Sequence, residues 1–264
     1  MQLETDKRCA AHQAMINTKP ANGIQTFFLY RGNNTLCVMR CFSMDLSSRV
    51  ASVAFVNDDT TIVQENWNQD DVPRQHVFSL LSRLFKSSET AVTSIDQFVV
   101  GLGPGSFSGI RTAIAAVTGL ALPGKKPVGG ITSVESLAWD VLREFQRPEV
   151  VIVGDARRQR LWAARYRRDA EVVRCSMECS LFTHQEFKQR CLDADLLVSP
   201  EVERLADFLR EITDIGPEIV GESRYPRAEA VAQIALSRIS NNIPLDPPEP
   251  VYLHPPVFVK PRAD

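Results

Sequence analysis

Residues 100–111 read Val-Gly-Leu-Gly-Pro-Gly-Ser-Phe-Ser-Gly-Ile-Arg. The apolar run ending at Val100 has the character of a buried strand. It opens into a turn holding Gly101, Gly103, Pro104 and Gly105, and an alanine-rich helix begins near Ser106 or Ser108 and runs to about Leu122. Glycines let the backbone turn sharply and approach its surroundings closely. The helix start behind them presents unsatisfied N–H groups and a positive dipole end. Strand, glycine turn and helix in this order belong to a layered α/β fold and can seat an anion or phosphate. A tight turn with a serine cap fits the same spacing. The stretch is no P-loop, since no Gly-Lys-Ser/Thr follows, and Pro104 and Phe107 interrupt the dinucleotide pattern.

The flanking sequence extends that layer. Strands are expected over 41–45, 50–56 and 60–67, the last two joined at Asn57-Asp58-Asp59. Pro73 marks a helix start, followed by Val77, Leu80, Leu81, Leu84 and Phe85 at helical spacing. After the 107–122 helix come a strand over 127–131 and a helix that Thr132 and Glu135 begin as a capping box. These make an N-terminal lobe over 40–147. Pro148 marks a boundary, and 148–264 forms a smaller lobe with strands at 150–153, 161–166 and 171–175. Helices follow near 183–190, 201–212 and 226–239, then a proline-rich extended tail. Asp45 and Ser47 after one strand, and Asp155 after another, hint at two related halves. Residues 1–39 lack periodicity and are expected to be a poorly ordered extension, with Met39 a candidate start of the organised chain.

Hydrophobic content of 44%, charged content of 23% and a net charge of −2 describe an ordinary globular chain with no global pull towards nucleic acid or membrane. No apolar run approaches the roughly 20 residues of a membrane span. The N-terminus lacks the layout of a secretory signal. Six cysteines without a Cys-x-x-Cys pair fit reduced thiols in the cytoplasm. The four histidines are scattered with no His-x-x-x-His, and Cys175, Cys179, His184 and Cys191 fit no zinc spacing. No Gly-x-Ser-x-Gly elbow is present. No catalytic set and no metal set emerges. Asp45 and Asp155 either hold a metal-bound nucleotide or cap turns. The 157–168 stretch carries six arginines with Trp162 and Tyr166 between them, a pattern of nucleic-acid contact or of a solvated strand face. The 107–122 helix is apolar on every side, which predicts a protein partner on the face the sheet does not cover, or a helix sandwiched within one domain.

The 100–111 block resembles the Gly-x-Gly-Pro-Gly-Ser-Phe-Thr-Gly-x-Arg signature of the TsaB (YeaZ) family, bacterial factors for making threonylcarbamoyladenosine on tRNA. The resemblance continues through Gly119-Leu120-Ala121 and 127–138, and takes in Asp45-Leu46-Ser47, Pro73-Arg74-Gln75-His76, Asp155-Ala156-Arg157 and 250–253. It implies an α/β, actin/Hsp70-like (ASKHA), ribonuclease-H-like fold of two lobes with the second abbreviated. It also implies a non-catalytic partner subunit for threonylcarbamoyl transfer to ANN-decoding tRNAs. Such a subunit forms homodimers and a heterodimer with the paralogue TsaD, joined by the ATPase TsaE, and meets tRNA only indirectly.

On this resemblance Asp45, Ser47, Gly103, Gly105 and Ser106 form a vestigial cofactor-binding set, with ATP or ADP at the complex interface. His76, Leu80, Ile110, Ala113, Ala116, Val117 and Leu120 form the dimerisation face. Leu46 stands where the family has threonine, Ser108 where it has threonine, Thr118 where it has lysine, and 158–162 replaces its Gly-Glu-Val-Tyr. The loss of a hydroxyl at Leu46 argues against independent nucleotide binding. The competing readings are a self-sufficient actin-like ATPase or kinase and a glycoprotein endopeptidase.

Overall fold

The computed structural model describes residues 29–31, 35–58, 60–71, 77–169 and 172–253. The Pro73 helix start, His76 and most of the 1–39 extension lie outside them. A short antiparallel hairpin, β1 (Leu29–Arg31) and β2 (Thr35–Cys37), precedes the lobes. The first half then runs β3 (Arg40–Asp45), β4 (Val50–Asn57), β5 (Thr60–Asn68), α1 (Val77–Ser87), β6 (Gln97–Gly101), α2 (Phe107–Ala121), β7 (Val128–Ile131) and α3 (Ser133–Glu144). The second runs β8 (Glu149–Arg157), β9 (Arg160–Asp169), β10 (Val172–Phe182), α4 (His184–Cys191), β11 (Leu196–Val198), α5 (Ala206–Ile212), β12 (Glu218–Ile219) and α6 (Ala228–Ser240).

Each half builds a five-stranded sheet of the same design. The orders are β5-β4-β3-β6-β7 and β10-β9-β8-β11-β12, so three antiparallel neighbours are followed by two parallel additions. This repeated order is that of ribonuclease-H-like lobes, and the pair makes the actin-like, ASKHA-type α/β fold. Strand β3 shows why both faces must be covered. Phe42 and Met44 join Val77, Leu81, Leu84, Ala113 and Val117 on the α1/α2 side, while Cys41 faces Ala228, Val231 and Ala235 of α6 on the other. Near-continuous apolar strands of this kind are the signature of a sheet buried on both sides.

Packing does not follow the divide at Pro148. Helix α3 ends the first half but packs on the second sheet, its Val134, Leu137, Ala138 and Val141 against Val150, Ile152 and Tyr166. Helix α6 ends the second half but covers the first sheet, where Ser43 Oγ donates to the Ala228 carbonyl at 2.6 Å. The two exchanged helices touch and are clamped at both ends. Arg227 holds both Asp140 oxygens at 2.8 and 2.7 Å, and Arg238 holds both Glu135 oxygens at 2.8 and 2.6 Å.

Burial raises the Glu135 carboxyl above its ordinary range, and the Arg238 charge opposes the shift. Removing the arginine leaves a largely buried carboxylate without its counter-charge. Arg238→Met is therefore expected to lower stability by about 2 kcal/mol in urea unfolding, with Glu135→Gln on that background recovering part of the loss.

Candidate functional site

The glycine turn is fastened on three sides. Gly103 has φ +87°, a conformation L side chains resist, and its peptide bond to Pro104 is cis. A methyl group on Gly105 would stand 2.1 Å from the Ser47 carbonyl oxygen, so only glycine admits that approach. Ser106 donates its N–H to the Ser47 carbonyl at 2.7 Å and caps α2 by accepting from Gly109 N at 3.2 Å. Gly103 N donates to Ser133 Oγ, and Ser133 N donates to the Gly103 carbonyl, both at 2.9 Å. The turn is thus stitched to the loop after β3 and to the start of α3. Thr132 accepts from Glu135 N at 3.3 Å, but the Glu135 carboxylate is spent on Arg238.

A cleft of about 1470 Å³ opens between the lobes. Ser47, Gly105 and Ser106 line it from the first half, and Ala156, Arg157 and Arg204 from the second. Asp45 and Gly103 are buried behind this wall and do not line it. Asp45 Oδ1 accepts from Ser47 N at 2.8 Å, while its buried Oδ2 makes no hydrogen bond among the described residues. Burial pushes this carboxyl above the usual carboxylate range, opposed by the Ser133 and Ser47 side chains and the Ser47 amide.

Asp155 does reach the cleft but is engaged there. It accepts from Arg157 N at 2.7 Å, and Arg157 Nη1 and Arg204 Nη1 lie 3.2 and 3.9 Å from its Oδ2. Among the described residues no group of three His, Cys, Asp or Glu side chains converges as a metal site. The cleft therefore presents hydroxyls and backbone beside arginines already paired with acids of its own wall, Arg49 with Asp70 and Glu203, and Arg157 and Arg204 with Asp155 and Glu201, while Asp45 is sealed behind it.

The raised Asp45 pKa has a thermodynamic consequence. The folded state keeps this proton to higher pH than the unfolded chain, so stability rises as pH falls through the folded pKa and the buried charge costs stability above it. Asp45→Asn retains an acceptor for Ser47 N. It is expected to match or exceed wild-type stability at neutral pH, by about 1 kcal/mol at most, and to lose that acid-side rise in thermal melts at stepped pH.

The residues expected to form a dimerisation face divide. Ile110, Ala113, Ala116 and Val117 are at most 3% exposed; Ala113, Ala116 and Val117 pack into the sheet core and belong to this chain's own interior. Leu120 is partly buried against the same core and Leu80 is half-buried, while His76 lies outside the described residues. The outward stripe of α2 is instead Phe107, Arg111, Ala115, Thr118 and Gly119, continued by Leu122 just past its end. Leu122 is 72% exposed, Phe107 56%, and Phe78 on neighbouring α1 61%. A side chain at Gly119 would meet nothing within 4 Å.

One cluster on this stripe joins it to the C-terminal tail. The Arg111 guanidinium sits 3.8 Å from the Phe107 ring centre and donates from Nε to Tyr252 Oη at 2.6 Å. Phe107 and Tyr252 stack at 5.2 Å. Phe107 and Arg111 stand at i and i+4 on the helix, but Tyr252 is 141 residues from Arg111, and no local pattern announces it.

The TsaD family model, described as tRNA N6-adenosine threonylcarbamoyltransferase, matches residues 72–189. The tRNA threonylcarbamoyladenosine biosynthesis protein TsaB of Escherichia coli is 28% identical over 225 residues, covering 81% of this chain and 94% of that protein. The Haemophilus influenzae TsaB is 27% identical over 116 residues, 44% of this chain and 48% of that one. The solved structure of YeaZ from Pseudomonas aeruginosa superposes with a TM-score of 0.70 at 21% identity, covering 81% of this chain and all of that one. Sequence and fold agree: along most of its length this chain is similar to the TsaB (YeaZ) proteins.

Proposed function

We propose that this protein takes part in tRNA threonylcarbamoyladenosine biosynthesis as a non-catalytic subunit that pairs with and activates a TsaD-type transferase. The names of its relatives support the pathway. The observation that carries the subunit reading is the outward stripe of α2. It presents Phe107, Ala115, Thr118, Gly119 and Leu122 to the outside with Arg111 as its one charge, a small-residue and apolar surface suited to a close helix–helix contact. Homodimer and TsaD heterodimer compete for this stripe, with TsaE joining the heterodimer. The sealed Asp45 and neutralised Asp155 support a chain that does not turn over ATP by itself, and in this reading any ATP or ADP belongs to the complex with the transferase. Among the described residues no helix is long and apolar enough to cross a membrane, and we place the protein in the cytoplasm with the tRNA it helps to modify.

The test is reconstitution. Threonylcarbamoylation of tRNA is expected only when this chain is combined with the TsaD-type and TsaE-type proteins and the threonylcarbamoyl donor. ATP hydrolysis by the purified chain alone, abolished by Asp45→Ala, would overturn the reading.

A further inference from the structure

The arginines of 157–168 are not equivalent. Arg165 and Arg167 are held by Glu149, with Arg165 also paired to Asp193, and Arg157 is held by Asp155. Arg168 donates to Gln146 at 2.7 Å. Arg158 and Arg160, at the tip of the β8–β9 hairpin, are exposed and have no carboxylate within ion-pair distance among the described residues. The tip is also unusual in its backbone. Arg157, Arg158 and Gln159 have φ of 65°, 51° and 57°, the left-handed conformation that asparagine and glycine ordinarily supply in a two-residue hairpin turn. The bulky, charged Arg158 occupies such a place.

A third arginine backs the tip. Arg190 of α4 lies 5.6 Å from the Phe182 ring, and Phe182 is the cross-strand partner of Leu161, next to Arg160. Glu186 is the acid of this surface, and it is already committed to the α4 capping box, where its carboxylate accepts from Thr183 N at 2.7 Å. Arg160 and Arg190 lie close enough to help hold that carboxyl below its usual range, after the Thr183 contacts. Exposed Arg160 and Arg190 thus lie near a carboxylate that is already committed, with exposed Arg158 two residues from Arg160 at the turn.

Building on the tRNA reading above, we propose that the β8–β9 hairpin tip, Arg158 and Arg160, with Arg190 behind it, contacts the phosphodiester backbone of tRNA directly. Guanidinium groups pair with phosphate oxygens in a fixed fork, and flexible exposed ones bind a backbone without reading its sequence. The contact would add an electrostatic anchor from this subunit to whatever grip the transferase has.

The test is binding of an unmodified tRNA transcript to the full chain by fluorescence anisotropy across a salt series, wild type against Arg158→Gln/Arg160→Gln/Arg190→Gln. The triple variant is expected to bind about tenfold or more weakly. Its slope of log affinity against log salt should be shallower by roughly 0.7–0.9 for each phosphate that is no longer neutralised. Circular dichroism and light scattering establish that the variant is folded and still pairs. No tRNA binding by the wild type at low salt, or equal affinity and slope in both proteins, overturns the proposal. So does weakened affinity for the TsaD-type partner with tRNA binding untouched, which would make the tip a protein-binding surface. Because binding is read on the chain alone, a failed reconstitution with intact tip-dependent tRNA binding would sink the subunit reading and leave this one standing.

Discussion

Gly119→Arg is expected to abolish pairing with a second copy or a TsaD-type partner while making the isolated chain more stable. The two effects come from different physics. Gly119 sits inside α2 with empty space where a side chain would project, so substitution meets no steric resistance in the monomer. Replacing a mid-helix glycine by a good helix former contributes about 0.5–1 kcal/mol. A partner helix packed on the stripe would instead meet a long cation at its closest approach. Pairing should weaken at least about 100-fold, roughly 3 kcal/mol, in light scattering or calorimetry. Gly119→Ala should keep the stability gain and most of the pairing. Unchanged assembly with Gly119→Arg would mean that the interface lies elsewhere. The opposite signs matter, since a variant that merely misfolds cannot gain stability.

Ten residues earlier the same kind of substitution should have the opposite outcome. Gly109→Ala places a methyl group 2.0 Å from the Leu46 carbonyl oxygen, a backbone atom with no free rotation to yield. Helix propensity favours alanine here by about 1 kcal/mol, but the clash displaces either the α2 first turn or the loop after β3. Both carry the fastening of the glycine turn through Ser106 and Ser47. We expect a net loss of about 3 kcal/mol in urea unfolding, with the midpoint falling and the slope unchanged. A stability equal to wild type would show that the turn relaxes at little cost and that its tight fit is not what fixes the helix start.

The contrast shows what could be read from the chain and what could not. The strand, turn and capped helix at 98–122 were legible because each carries a local signature: an apolar run, glycines and a serine three residues before its N–H partner. The outward face of α2 was not. Ala113 is buried and Ala115 exposed, yet the two are the same residue type, and a helix apolar on every side has no polar stripe to orient it. The expected interface residues Ala113, Ala116 and Val117 therefore fell on the core side.

Strand β10 runs to Phe182, well past the expected 175, because two register shifts break the alternation that marks a strand. The proline-rich tail read as irregular, and over 244–253 it has little regular structure. It is nevertheless anchored, with Gly130 N donating to the Asp246 carbonyl at 2.8 Å and Val251 N to the Leu102 carbonyl at 2.9 Å. Such bonds join distant segments, and short-range patterning carries no trace of them. In the candidate site, the residue types at Asp45 and Asp155 were visible, but whether each acid was open or spent depended on neighbours at Ser47, Arg157 and Arg204.

The exchange of α3 and α6 bears on how the chain is made. The far face of the first sheet, with Cys41, Ala54, Val56 and Val99, waits for Ala228, Val231 and Ala235, between 129 and 194 residues downstream. While the ribosome is still extending the chain, that face has no cover, and α3 has already emerged without the sheet it will pack on. The first lobe therefore cannot finish until the second has been made, and its sheet is most exposed to aggregation just before α6 arrives.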